Sequence, residues 1–267
     1  MATFPQADKK FGQHFLHSPH VIKAITQDVP SFEFDAIIEV GPGPAVLTPH
    51  LKAHAKPLYL FEMDKRFRET LEAVVGADHL TLTDALEVNW ENFLSERNIR
   101  SAWLVSNLPY NVSVPLTISF MQCPRITKMT LMYQKEVAEK FLPREQKNSM
   151  SSLFALASIF FKTKRLVDVP PGAFQPPPKV MSQVLSFERK VEPLVELKDW
   201  NALEEFLRLV FQNRRKQLQG ILKERIEKNL LDEFWRDNQI PSTIRAEALT
   251  LTDLLKLWQL DRKSRID

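Results

Sequence analysis

From about Ala36 to Phe187 short apolar runs alternate with helix-like stretches, and the alternation stops after Arg189. The candidate strands are Ala36–Val40, Pro57–Glu62, Leu80–Thr83, Ala102–Asn107, Lys128–Gln134 and Val180–Phe187. Between most of them the apolar residues recur at helical spacing, as over Asp64–Val75 and Pro115–Met121. Strands alternating with helices predict a mostly parallel sheet covered on both faces, the α/β class. Ala36–Val40 is almost continuously apolar, as a buried central strand is. Beyond Trp200 the period changes: Leu203, Phe206, Leu207, Val210 and Phe211 share a helical face, and strand-like runs disappear. The pattern predicts an α/β domain over residues 1–190 and a small all-helical domain over residues 191–267, with Pro193 and the charges around it as linker.

Composition narrows the class. With 267 residues, 44% hydrophobic and 26% charged, the chain has an ordinary soluble make-up. No apolar run approaches the ~18–20 residues that span a bilayer, and Met1–Lys10 has no apolar core of a signal peptide. A cytoplasmic protein without a membrane partner is expected. Cys123 is the only cysteine, so no intrachain disulfide can form. The formal net charge of +3 permits an RNA partner without requiring one. Basic residues cluster at Lys9-Lys10, Lys162–Arg165 and Arg214–Lys216, although a charge run is by default a solvated face.

Candidate chemistry begins after the first strand. Glu39–Thr48 carries Gly41 and Gly43 at a strand-to-helix turn, where the lack of a side chain lets backbone approach a ligand. Glu62 ends the second strand about twenty positions later, where a carboxylate can hold a ribose diol. Asp84 ends the third strand and can accept from an adenine amino group, although Asp64 and Asp84 also read as helix N-caps. A dinucleotide-binding turn would carry a third glycine at 46; Pro44 and Ala45 follow instead, and the residue at 46 is valine. That disfavours a pyrophosphate and suits a ligand without phosphates.

The fourth strand ends in Asn107-Leu108-Pro109-Tyr110, which resembles the signature of S-adenosylmethionine-dependent amino methyltransferases. An exocyclic aromatic amine is a poor nucleophile because its lone pair is delocalised into the ring. The Asn107 side-chain oxygen and the Leu108 carbonyl can accept both amine hydrogens and aim the lone pair at a sulfonium methyl. Pro109 fixes the turn, and Tyr110 offers a face for the target base. Positioning and preorganised dipoles suffice; no acid–base pair is needed.

Over nearly its whole length the chain resembles the KsgA-type ribosomal RNA adenine dimethyltransferases. Lys10–Leu16, Glu39–Thr48, Glu62, Asp84-Ala85, Asn107–Tyr110, Tyr133–Ala138, Val169–Val180, Phe211–Lys216 and Ile244–Glu247 resemble the family's motifs in order and spacing. The resemblance implies a Rossmann-like methyltransferase domain with a helical C-terminal domain that contacts the ribosome. It implies that Gln13, His14, Leu16, Gly41, Gly43, Glu62, Met63, Asp84, Ala85 and Asn107 hold S-adenosyl-L-methionine, which leaves as S-adenosyl-L-homocysteine, with no metal. It implies that Phe174 stacks on the flipped adenine opposite Tyr110, and that Lys179, Arg214, Arg215 and Lys216 contact RNA. Taken alone, Phe174 reads equally as an apolar anchor in a proline-rich loop. The implied reaction is N6,N6-dimethylation of two adjacent adenosines near the 3′ end of 16S rRNA in the 30S subunit, coupled to subunit biogenesis, by a monomer. Two other readings are a 23S rRNA enzyme of the erythromycin-resistance type and an assembly factor that has lost catalysis; the intact Glu62 and Asn107–Tyr110 argue against the latter. Departures include His14, where some members have Asn, and the stiffer Pro44-Ala45.

Overall fold

The computed structural model of the chain describes residues 13–143, 150–213 and 216–264. The chain forms two compact units that are not contiguous in sequence: Met1–Ala138 with Phe161–Glu192, and Glu139–Phe160 with Pro193–Asp267. A single break at 190 therefore does not describe the division, because the segment Glu139–Phe160 clusters with the C-terminal residues.

The first unit is built on strands β1 (Phe15–Leu16), β2 (Ala36–Val40), β3 (Leu58–Glu62), β4 (Leu80–Leu82), β5 (Ala102–Asn107), β6 (Ile126–Gln134), β7 (Phe161–Val169), β8 (Phe174–Gln175) and β9 (Ser182–Arg189). Its helices are α1 (Pro19–Thr26), α2 (Thr48–Lys52), α3 (Arg68–Val75), α4 (Trp90–Glu96), α5 (Ser113–Gln122) and α6 (Lys135–Ala138). The main sheet has seven strands in the order β4-β3-β2-β5-β6-β9-β7. The first five are parallel, and β9 runs antiparallel to both β6 and β7. β2 is buried along its whole length because it is flanked by β3 and β5 and covered on both faces.

From β2 the chain moves outward through β3 and β4, then returns to β5 on the other side of β2. That reversal opens a crevice beyond the C-terminal ends of β2 and β5, the place where open α/β sheets bind ligands. A second, two-stranded sheet pairs Leu16 of β1 with Phe174 of β8, and His17 N–H donates to the Ala173 carbonyl at 2.9 Å. The segment before α1 is thereby tied to the proline-rich loop before β9.

β7 is absent from the expected strands. It is an edge strand with Lys162, Lys164 and Arg165 exposed, so its polar face hides the apolar alternation and reads as a charge run. Underneath, Lys128 is 2% exposed and held by Asp28 at 3.2 Å. Asp28 also accepts from Thr130 Oγ1 at 2.8 Å and Ser186 Oγ at 3.2 Å.

The second unit contains α7 (Ser152–Phe160), α8 (Trp200–Gln212), α9 (Leu218–Leu222), α10 (Lys228–Asp237) and α11 (Leu251–Lys263). α8 buries Leu203, Phe206, Leu207 and Val210 of the stripe its spacing predicts, together with Trp200, while Phe211 is half-buried. The Phe160 and Trp200 rings lie 5.0 Å apart, which ties α7 to α8. Arg225 grips the buried Asp261 carboxylate with Nε and Nη2 at 2.8 and 2.7 Å. Among the described residues no helix is long and apolar enough to cross a membrane.

Candidate active site

A cavity of about 280 Å³ lies at the crevice beyond β2, β3, β4 and β5. Its wall includes Gln13, His14, Leu16, Gly41, Gly43, Glu62, Met63, Asp84, Ala85, Asn107, Leu108, Pro109 and Tyr110. Residues scattered over a hundred positions of sequence thus meet because their strands end side by side.

Gly41 and Gly43 have φ of +68° and +53°, left-handed values that glycine adopts without strain. A β-carbon at Gly43 would reach the Phe15 ring at 3.5 Å. Its N–H donates to Glu62 Oε2 at 2.9 Å, and Asp64 N–H donates to Oε1 at 2.8 Å. Glu62 is thus preset by two backbone donors. Burial still pushes its pKa above the ordinary carboxyl value, and the two donors offset part of that rise. Asp64 goes the other way: Arg66, with Gln13 in support, holds its carboxyl below the usual range. Gln13 Nε2 donates to Asp64 at 2.9 Å and so fastens the first described residue to the end of β3. Asp84 caps the turn after β4, accepting from Leu86 N–H at 2.9 Å, and also lines the cavity. The cap and the ligand readings of this residue are compatible.

Asn107 Nδ2 donates to the main-chain carbonyl of His14 at 3.1 Å. A carbonyl can only accept, so this bond fixes the amide with its nitrogen on His14 and its oxygen turned the other way. The following turn occupies the Pro109 carbonyl with Val112 N–H and the Tyr110 carbonyl with Ser113 Oγ. The Tyr110 ring stacks on the His14 imidazole, with centroids 5.7 Å apart and planes at 26°. Its hydroxyl is 2.6 Å from Ser182 Oγ, and burial raises the phenol pKa. His14 Nδ1 lies 2.9 Å from the Pro176 carbonyl, so the imidazole is occupied by the loop and by Tyr110.

Phe174 requires a correction. It is 2% exposed, packs in the core beside Leu16 and Val184, and is not part of the cavity wall. In this structure it anchors its loop in the core, with Leu16 as its backbone partner. Lys179 is exposed on that loop. Lys216 is exposed in the second unit, and Arg214 and Arg215 lie outside the described residues.

Glu39 is the site residue whose role sequence reasoning left unassigned. It is 2% exposed, lines the cavity, and its Oε2 has no hydrogen-bond partner. The signal was an acid inside a strand of otherwise apolar residues. Ser182, which positions Tyr110 from β9, carried no such signal.

Three carboxyls, Glu39, Glu62 and Asp84, face the cavity, and among the described residues no lysine or arginine lines it. Such a wall repels phosphate and attracts a cation. S-adenosylmethionine, with a sulfonium, an ammonium and a ribose diol, fits that donor set; a pyrophosphate does not.

The sequence model of the family described as "Ribosomal RNA adenine dimethylase" matches residues 5–260. The chain belongs to this family. Among curated relatives, the "Ribosomal RNA small subunit methyltransferase A" of Phenylobacterium zucineum is 40% identical over 222 residues, covering 81% of this chain and 76% of the relative. Those of Bdellovibrio bacteriovorus and Syntrophotalea carbinolica are 35% and 32% identical over 95% and 94% of this chain and 92% and 96% of the relatives. Among solved structures, a dimethyladenosine transferase from Plasmodium falciparum superposes with a TM-score of 0.71 at 23% identity over 94% of this chain and 98% of its own. The 23S rRNA methyltransferase ErmE superposes at 0.70 and 22% over 92% and 99%. Both likenesses establish the methyltransferase fold. As a member of the family the protein is an S-adenosylmethionine-dependent rRNA adenine dimethyltransferase.

Proposed function

We propose that this protein transfers methyl groups to the N6 amines of two adjacent adenosines near the 3′ end of 16S rRNA in the 30S particle. The observation that carries the reading is the fixed Asn107 amide: its nitrogen is tied to His14, leaving its oxygen for a target amine beside the Tyr110 ring. Bound S-adenosylmethionine supplies an electrophilic sulfonium methyl and departs as S-adenosylhomocysteine. Glu62, preset by Gly43 and Asp64, would hold the ribose diol, and Asp84, Ala85 and Met63 would hold the adenine of the donor. Asn107 Oδ1 and the Leu108 carbonyl accept the two N6 hydrogens, so the nitrogen lone pair points out of the adenine plane. Positive charge developing on that nitrogen would strengthen both hydrogen bonds, and the proton it sheds would leave to solvent. Tyr110 supports the extruded base on its ring.

The names of these curated relatives favour the small-subunit target, whereas ErmE shares the fold at low identity. In this reading the first unit carries catalysis. The helical C-terminal residues, with Lys179, Arg214, Arg215 and Lys216, hold phosphates. The protein works as a cytoplasmic monomer in subunit assembly. Methyl transfer to 30S particles from an unmethylated strain, run beside free 23S RNA, tests it. Dimethyladenosine in 16S rRNA alone is expected, and product confined to 23S RNA would overturn the assignment.

A further inference from the structure

We propose that Val180 and Met181 close the RNA base stack behind the target adenosine, entering the gap that opens when the adenine swings out toward Tyr110. This rests on the target-base reading above.

Among the described residues, the other exposed large apolar side chains are spread singly over turns and connections, as single exposed apolar residues commonly are. Val180 and Met181, 42% and 38% exposed, are adjacent in sequence, at the end of the loop between β8 and β9. The backbone under them is braced. Pro176, Pro177 and Pro178 fix their own φ angles. The Pro176 carbonyl meets His14 Nδ1 at 2.9 Å, and Lys135 N–H donates to the Met181 carbonyl at 2.9 Å. Phe174 and Ser182, both buried, anchor the two ends. A loop held in this way presents its side chains at little further cost in backbone entropy.

Its place links the loop to the target base. Ser182 Oγ lies 2.6 Å from the Tyr110 hydroxyl, so Met181 is one residue, about 3.8 Å of chain, from the contact that orients the ring. On the loop's other side Pro176 holds His14, whose imidazole stacks on the same ring. Val180 and Met181 stand between these two points in sequence and outside the cavity wall. The charge pattern selects a nucleic acid. Lys179 is the one charged residue from Pro170 to Phe187, and it is exposed. The loop thus offers a cation for a phosphate beside two apolar side chains, with no carboxylate of its own to repel the strand.

Extruding a base costs its stacking and leaves a gap between its neighbours. An apolar side chain that enters the gap restores contact there and hinders return of the base. Valine and methionine carry no strongly polar group that would have to be desolvated, and the unbranched methionine adapts to an irregular space. Tyr110 then holds the adenine outside the stack while Val180 and Met181 hold the stack closed behind it.

Two measurements on the full-length protein with unmethylated 30S particles test this. Cys123 is the only cysteine and is buried, so Met181→Cys provides a single accessible thiol for an azidophenacyl photocrosslinker. Crosslinks mapped by primer extension should fall on nucleotides flanking the methylated adenosines. Crosslinks to a ribosomal protein, crosslinks confined to distant 16S rRNA, or none above the background of unmodified protein would overturn the proposal. In the second measurement, Val180→Ser combined with Met181→Ser should slow single-turnover methylation about tenfold or more at saturating particle and cofactor. Affinity for the particle and for S-adenosylmethionine, and the melting midpoint, should stay near wild type, because both side chains are exposed. Val180→Ile combined with Met181→Leu should restore the rate, since the gap requires apolar bulk. A serine variant as fast as wild type overturns the proposal. So does a serine variant whose whole defect is lost particle affinity, which would make the loop an ordinary contact. Failure of the wild type to methylate 16S rRNA in 30S particles would instead remove the target reading itself.

Discussion

Replacing Asn107 by alanine removes two things at once: the oxygen that accepts from the target amine, and the Nδ2 donor that holds the His14 carbonyl at 3.1 Å. The first loss acts in the transition state, where the N6 hydrogens become more acidic as nitrogen turns positive. One preorganised acceptor at such a centre is worth roughly 10²–10³ in rate, or about 2.7–4 kcal/mol. The second loss is a hydrogen bond to a main-chain carbonyl, worth about 1 kcal/mol in stability, and it frees the segment that closes one side of the cavity. Asn107→Ala should therefore lower the single-turnover methylation rate on unmethylated 30S particles by at least about 10²-fold at saturating cofactor. Affinity for the particle, measured separately, should hold, since phosphate contacts dominate it. His14→Ala keeps the main-chain carbonyl, so it should keep the Asn107 tether and lose far less. A rate for Asn107→Ala within about threefold of wild type, about 0.65 kcal/mol and so less than one ordinary hydrogen bond, would refute the mechanism.

Other outcomes follow from the same structure. Phe174→Ala should destabilise the protein by about 3–5 kcal/mol in thermal or urea unfolding, as a buried anchor does; a stability near wild type with lost activity would restore the stacking role. Asp28→Ala leaves Lys128 buried without its nearest carboxylate, Glu188 being 3.8 Å away, and should cost about 3 kcal/mol by the same melts. The ligand-free protein should lose stability as pH rises. Unfolded Glu39 ionises from its ordinary 4.5, whereas the folded residue holds its proton to about 8, so its contribution is complete below 4.5 and is lost between 4.5 and 8. The slope there is up to about 1.4 kcal/mol per unit, and Glu39→Gln should flatten it. Glu62 acts in the same direction and Asp64 in the opposite one at lower pH; a melting temperature that climbs from pH 5 to 8 would contradict the assignment.

Much of this was legible in the sequence where both faces of an element are buried. β2 and β5 carry the bounds their apolar runs indicate, because a strand covered on each side is apolar except where it reaches the site, at Glu39 in β2 and at Ser106 and Asn107 in β5. Glu62 and the Asn107–Tyr110 turn were readable because chemistry demands those residue types at strand ends. β7 was not, since half its side chains meet water and its lysines guard an edge. The two-residue β1–β8 pair has no periodicity to read at all. α7 is apolar enough to announce burial, but an apolar helix does not say which unit buries it. Its place with the C-terminal helices follows from contacts such as Phe160 on Trp200, and these are invisible along the chain.

The charge pattern carries one step further. The chain is basic, with a formal net charge of +3, yet the cavity wall is acidic and, among the described residues, free of lysine and arginine. On the proposed function, the RNA would meet a mildly basic surface and an acidic pocket. A phosphodiester cannot settle among Glu39, Glu62 and Asp84, but a neutral base swung out of the strand can reach Asn107 without opposing that field. The cation at the reacting end of the methyl donor is favoured by the same carboxyls that exclude the RNA backbone. When the sulfonium becomes a thioether on methyl transfer, that attraction weakens by one charge. On the proposed function, the acidic wall would hold the charged donor more strongly than its neutral-sulfur product and would admit bases but not phosphates.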